Sequence, residues 1–339
     1  MHQSVHPQRR RAVLVIGALL LCAVASLLFS GMTGSIAVPL AEMPDALRQL
    51  AHGESTLAAS LLELRAGRAL TAFVTGGALA LAGVMMQALL RNPLADPYVL
   101  GISAGASVGA LLALLLMASA IVVDMAALAG AVGVSMLLYL LARRDLRSGL
   151  AAEGGTSMLL LTGVILSSAC MALVTLMLSI APEGRLRSMI FWMIGDLAGA
   201  PLRLAPWVVL GAALLYALRS ARAMNVVALH AEAAATLGIR VGSLRKGLFF
   251  VSGVLTASAV TSAGSVGFVG LIVPHACRFA FGPDHRVLIP AAVLVGGSFL
   301  VLCDTLARTI IAPQQLPVGA ITAIIGAPVF LYQLHRLRR

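Results

Sequence analysis

The sequence predicts an all-α polytopic membrane protein, a single domain over residues 1–339 with about ten transmembrane helices. Three observations predict it. Hydrophobic residues make up 60% of the chain and charged residues 11%, with a mean hydropathy of +0.99. Soluble domains carry about 25% charged residues, so lipid must be the solvent for most of this surface. Apolar runs recur along the chain at lengths near the roughly 20 residues that cross a hydrocarbon core. Basic residues gather at the ends of those runs, where membrane topology places them. That placement also explains the net charge of +11 without a nucleic-acid partner.

The first run, 12–31, follows Arg9, Arg10 and Arg11, and no small-residue cleavage site closes it. It is therefore read as a retained helix and not as a signal peptide. Residues 32–66 are mixed in charge, and "AEMPDALRQLAHGES" forms a short surface helix. Further runs occupy 67–90, 98–118, 120–142, 156–181, 201–218, 245–263, 287–311 and 317–335, and a shorter piece at 268–281 contains Pro274. Ten crossings bring both ends to one side. With the N-terminus inside, 17 of the 24 basic residues fall inside and 7 outside, so both termini are expected in the cytoplasm.

The breaks between runs carry more information than the runs. "RNPLADPYVLGISAGASVGA" (91–110) opens as a turn containing Pro93 and Pro97, with Asn92 as turn starter. Gly101, Gly105 and Gly109 follow as two overlapping GxxxG steps that let another helix approach closely. "TSAGSVGFVGLIVPH" (261–275) and "FWMIGDLAGAP" (191–201) place Gly and Pro at membrane depth. Non-helical backbone is tolerated there only under a cover of protein or beside a water-filled cavity. Thr162, Ser167, Ser168 and Thr175 on the 156–181 helix either line a wet path or bond back to their own helix. Between 219 and 244, helix formers from Ala228 to Leu237 closed by Gly238 make either a docking helix or a surface loop.

Enzyme chemistry is missing. There is no GxxxxGK[ST], HExxH, GxSxG or DDxxD pattern. Seven histidines are scattered; Cys22, Cys170, Cys277 and Cys303 sit in apolar runs without a CxxC and read as buried small hydrophobes. No metal and no cofactor is expected. Asp304 and Arg308, four apart on one helix face, neutralise each other or mark a functional site. A bundle around a pathway favours a transporter; one driven by an ion gradient would need more buried acids, and a membrane enzyme would need catalytic motifs.

"GVMMQALLRNPLADPYVLGISAGASVGA" resembles the signature of the FecCD family, the permease subunits of ABC importers for iron–siderophores, vitamin B12 and haem. "GSVGFVGLIVPHACRFAFGPDHRVLIPAAVLVGG", "CDTLART" and "LPVGAITAIIGAPVFLYQL" agree, in the same order, from about residue 60 to the end. The resemblance implies the type II ABC importer permease fold in a bacterial inner membrane. It also implies a second permease copy, two cytoplasmic ATP-binding subunits that hydrolyse ATP in place of this chain, and a periplasmic substrate-binding protein. By position, 228–239 is similar to the coupling helix that enters the ATPase cleft, with Ala228, Leu229, His230, Glu232, Leu237 and Gly238 as contacts. The family shows a Gly-Glu pair where this chain has His230 and Ala231. "LRAGR" and "DTLAR" supply Arg65, Arg68 and Arg308, which correspond to exposed arginines that dock the binding protein's carboxylates. The cytoplasmic gate of the family falls on Asn92 and Leu94, facing Thr156 and Ser157. The resemblance leaves iron chelate, cobalamin and haem as substrates.

Overall fold

A computed structural model describes the chain except residues 1–4, 37–38, 54–55, 148–152, 201, 230–233, 235 and 338–339. The bundle is organised around helix α3, Leu57–Leu90. Thr56 caps its start by accepting the Ala59 N–H at 3.3 Å, and Arg91 ends it in the left-handed region at φ 49°. Its most apolar stretch is 94% buried inside the protein, because its small residues let neighbours approach to the backbone. A Cβ added at Gly76 or Gly83 would fall on the carbonyl oxygens of Gly296 and Gly270. Those glycines belong to α11 (His285–Ala307) and α10 (Val269–Phe281), which pack against α3 together with α9 (Val241–Ala263).

The other elements are α1 (Val5–Met32), α2 (Met43–His52), α4 (Ile102–Leu115), α5 (Ala120–Arg147), α6 (Glu153–Ile180), α7 (Glu183–Ile194), α8 (Leu204–Leu229) and α12 (Val318–Leu337). Among the described residues there are twelve α-helices, two short 3-10 turns and no strand. Seven helices, α1, α3, α5, α6, α8, α9 and α11, are long and apolar enough to cross a membrane, and α4, α10 and α12 are shorter apolar helices. Together they occupy the ten runs that the sequence marks out. The two remaining helices are α2, the expected surface helix, and α7, which precedes the expected break at Gly195.

Boundaries moved where local chemistry was stronger than hydropathy. The 98–118 run becomes a 3-10 turn, Pro97–Leu100, followed by α4, because Gly101 takes φ 80° between them. The 201–218 run continues to Leu229: polar residues such as Arg219 and Arg222 end an apolar run without ending a helix. The 287–311 run stops at Ala307, where Arg308 caps the helix. Cys277 and Cys303 are buried as expected, but Cys22 is exposed. It lies on α1, which packs at the edge of the bundle with only 11% of its apolar stretch covered.

Candidate functional site

At the C-terminal end of α3 the chain turns on its own side chains. Asn92 Oδ1 accepts the Leu94 N–H at 2.9 Å, and Asp96 Oδ1 accepts the Tyr98 N–H at 2.7 Å. These bonds satisfy the N–H groups that follow Pro93 and Pro97, where the prolines interrupt the helical ladder. Asn92 therefore shapes the turn, and Leu94 is left 43% exposed. Burial pushes the Asp96 carboxyl up to about 6, against the opposing effect of the Tyr98 N–H. Thr156 and Ser157 lie in the first turns of α6, with side chains outside the described residues.

Three contacts that the sequence does not signal tie this turn to the break at 264–268. Val266 N–H donates to the Tyr98 hydroxyl at 3.1 Å, and Ser103 Oγ donates to Ser265 Oγ at 2.9 Å. Deeper in, Gln87 Nε2 donates to the Leu271 carbonyl at 3.3 Å. Tyr98 and Ser103 meet backbone and hydroxyl groups of the Gly-rich break, while Gln87 meets a carbonyl within α10, the helix that contains Pro274. The partners lie 162 to 184 residues apart along the chain, so nothing in one dimension pairs them.

Gly101, Gly105 and Gly109 all face neighbouring helices. A Cβ at Gly105 would lie 2.6 Å from the Gly130 carbonyl of α5, and one at Gly109 would fall on the Ala126 carbonyl. Gly101 meets Val134 of α5 and Ser167 of α6. The hydroxyls of α6 turn inward on their own helix: Thr162, Ser167, Ser168 and Thr175 donate to the carbonyls of Met158, Gly163, Val164 and Met171.

The predicted docking segment lies partly outside the described residues. Ala228 and Leu229 are the last residues of α8 and not the start of a new helix. His230 and Glu232 lie outside the described residues, as does the Leu229 side chain. Beyond them Gly238 takes φ 80°, and the Ile239 N–H donates back to Ala234 O at 3.0 Å, a glycine helix stop. Leu237, just before it, is 70% exposed. The base of α8 is tied to the start of α11, since Asn225 Nδ2 donates to Asp284 Oδ1 at 2.7 Å and Asn225 Oδ1 accepts the His285 N–H at 2.9 Å.

The arginines at the other end of α3 correct the expectation of exposed docking groups. Asp304 is fully buried, and Arg65 and Arg308 are nearly so. Arg68 holds the Asp304 carboxylate as a fork, Nε to both oxygens at 3.0 Å and Nη2 to Oδ1 at 2.8 Å, and its Nη1 donates to Gln315 at 2.7 Å. Arg308, the neighbour four residues along, reaches Asp304 only at 3.7 Å and donates Nη2 to Ser30 Oγ at 2.7 Å. Arg65 donates to the carbonyls of Met32 and Ile36. Two guanidinium groups, those of Arg68 and Arg308, share one carboxylate, and Arg65 and Arg308 find further acceptors at the C-terminal end of α1. There, carbonyls left without helical partners carry partial negative charge.

Comparison with known proteins places these features in a family. The model of the FecCD transport family matches residues 19–336. A protein named cobalamin import system permease protein BtuC, from Halobacterium salinarum, is 41% identical over 277 residues, covering 80% of this chain and 72% of that one. The vitamin B12 import system permease protein BtuC of Escherichia coli is 38% identical over 282 residues, covering 82% and 84%. A solved structure described as an inward-facing conformation of a metal-chelate type ABC transporter superposes with a TM-score of 0.81 at 29% identity, over 96% of this chain and 99% of that one.

Proposed function

The chain belongs to the FecCD transport family, and from that premise we propose that it is the permease subunit of an ATP-driven importer whose cargo is a cobalamin. The observation that carries the cargo is the pair of cobalamin permeases at 41% and 38% identity. Iron chelate and haem, the other substrates of the family resemblance, are the competitors to exclude. The chain shapes a path and transmits force without covalent chemistry. ATP is hydrolysed on two separate subunits at the cytoplasmic side, where both termini of this chain also lie. A second copy completes the path, and a binding protein delivers the cargo to the opposite face.

Two structural features support the division of labour. Leu237, exposed beyond a glycine-stopped segment on the base of α8, suits an apolar cleft in an ATPase subunit. The ends of α3 and α11 that carry Arg65, Arg68 and Arg308 form the face for the binding protein. Their burial means that they set the shape and field of that face, with Arg68 and Gln315 nearest its rim. Asp304 is engaged by Arg68 and Arg308, which leaves it poorly suited to carry protons in an ion-gradient mechanism.

Uptake in proteoliposomes that contain the permease, its ATPase and the binding protein tests the proposal. Labelled cobalamin should accumulate only with ATP inside, and excess ferric siderophore or haem should not compete. Accumulation of an iron chelate in place of cobalamin would overturn the cargo, and accumulation without ATPase would overturn the drive. The gate has its own test. Cysteines at positions 94 and 156 in a cysteine-free background should cross-link in one nucleotide state and stop transport, and cross-linking equal in all states would remove Leu94 from the gate.

A further inference from the structure

Beneath the segment 195–203 that joins α7 to α8, two cavities adjoin. The first, of about 160 Å³, is polar on its walls: Asp124, Asp196, Arg203, Thr261 and Ser262 line it beside Trp192. The second, of about 420 Å³, is an apolar groove between α5, α8 and α9, lined by Val132, Met136, Val209, Phe249, Phe250 and Val254 among others. Arg203, Pro206, Thr261 and Ser262 belong to both, so the groove opens at its head into the polar chamber.

The roof over the chamber is held in place. Asp196 N–H donates to the Ala263 carbonyl at 2.9 Å, and Asp196 Oδ1 accepts the Ala198 N–H at 2.8 Å. Gly195 and Gly199 take φ of 88° and 71°, conformations that a side chain would strain. Below, Val132, Met136, Phe250 and Val254 are each 40–53% exposed on helices long and apolar enough to cross a membrane. Along α9 the groove runs from Ser262 to Phe249, roughly 20 Å at 1.5 Å per residue. One leaflet of a hydrocarbon core is about 15 Å deep, so the groove matches the depth of a lipid chain.

We propose that this paired cavity binds a single zwitterionic aminophospholipid, with one acyl chain in the groove, its phosphate on Arg203 and its primary ammonium on Asp196. The charges decide the headgroup. Arg203 and Asp124 pair at 2.5 Å, with the Arg203 side chain 38% exposed, so its planar fork can take a phosphate at the mouth of the groove. Asp124 is engaged by Arg203, so Asp196 is the carboxylate of the lining that remains to accept an ammonium, and Arg187 lines an adjoining cavity that Asp196 also borders. A primary ammonium has N–H donors for Asp196; a choline has none, and Trp192 alone does not build an aromatic cage around it.

Native mass spectrometry of the full-length permease, released from nanodiscs of equimolar dioleoyl-phosphatidylethanolamine, -choline and -glycerol lipids, tests the site. The expected result is one retained phosphatidylethanolamine per chain, favoured about tenfold, the scale of one charge-assisted hydrogen bond. Asp196→Asn should erase the preference for ethanolamine over choline while a lipid stays bound. Val132→Trp, which fills the groove, should lose retention of all three lipids with helical circular dichroism unchanged. Equal retention of the three lipids, preference for choline or glycerol, or an undiminished preference in Asp196→Asn would overturn the proposal. If Val132→Trp misfolds, the Asp196→Asn preference still decides it.

Discussion

The two ends of α3 use polar residues to opposite effect. At the Arg65 end, charge is sealed inside: a fork of Arg68 on Asp304, with Arg308 and Arg65 spending donors on the last carbonyls of α1. At the Arg91 end, polar side chains fold the turn and reach across to the 264–268 break, and the apolar Leu94 is left facing out. Leu237 stands exposed beyond the base of α8 in the same manner. One end satisfies its charges within a single chain. The other leaves apolar side chains uncovered beside its turns.

That contrast can be broken most severely at Asp304. Asp304→Ala leaves Arg68 and Arg308 buried without their carboxylate, and removing one partner of a buried ion pair costs about 3–5 kcal/mol. A large fall in the thermal midpoint of the purified permease is expected, and an unchanged midpoint would show that α1's carbonyls suffice. Gly105→Leu comes next. It forces a side chain into the Gly130 carbonyl and Val134, an overpacking of about 1–3 kcal/mol that should also lower the midpoint.

A smaller effect separates the ends by pH. Asp96 is raised to about 6 in the folded chain, so its proton is held more tightly there than in the unfolded one. Its contribution to stability is full below the ordinary carboxylate pKa of about 4 and is lost as pH rises through about 6. The thermal midpoint of the wild type should therefore fall between pH 4 and pH 7. Asp96→Asn keeps an acceptor for the Tyr98 N–H without the titration, and should flatten that slope. Leu237→Ala should move stability least, within about 0.5 kcal/mol as for a surface change. In the assembled transporter it should nonetheless reduce ATPase activity and uptake together; unaltered coupling would remove Leu237 from the contact.

Hydropathy, a property of short windows, made the spans legible, and Gly and Pro made the breaks legible, including the left-handed Gly101, Gly195, Gly238 and Gly264. What sequence reading could not see was partnership across distance. It paired Asp304 with Arg308, four residues along, whereas the tighter fork comes from Arg68, 236 residues away. Tyr98 with Val266 and Asn225 with Asp284 are invisible for the same reason. Exposure was misjudged where neighbours decide it. The arginines read as exposed from the family resemblance are covered, Arg65 and Arg308 by the end of α1; Cys22 looked buried because its run is apolar, and little packs on it.

The glycine contacts of α3 have a mechanical consequence. Where a carbonyl of α10 or α11 rests against Gly83 or Gly76, no side chain lies between the backbones to swing aside. A slide of even one residue would drive a Cβ into a carbonyl, so the three helices form a stiff post that turns or tilts only as a whole. Any rearrangement of the bundle must then be absorbed along seams other than these. Leverage in this molecule depends on the part that cannot bend.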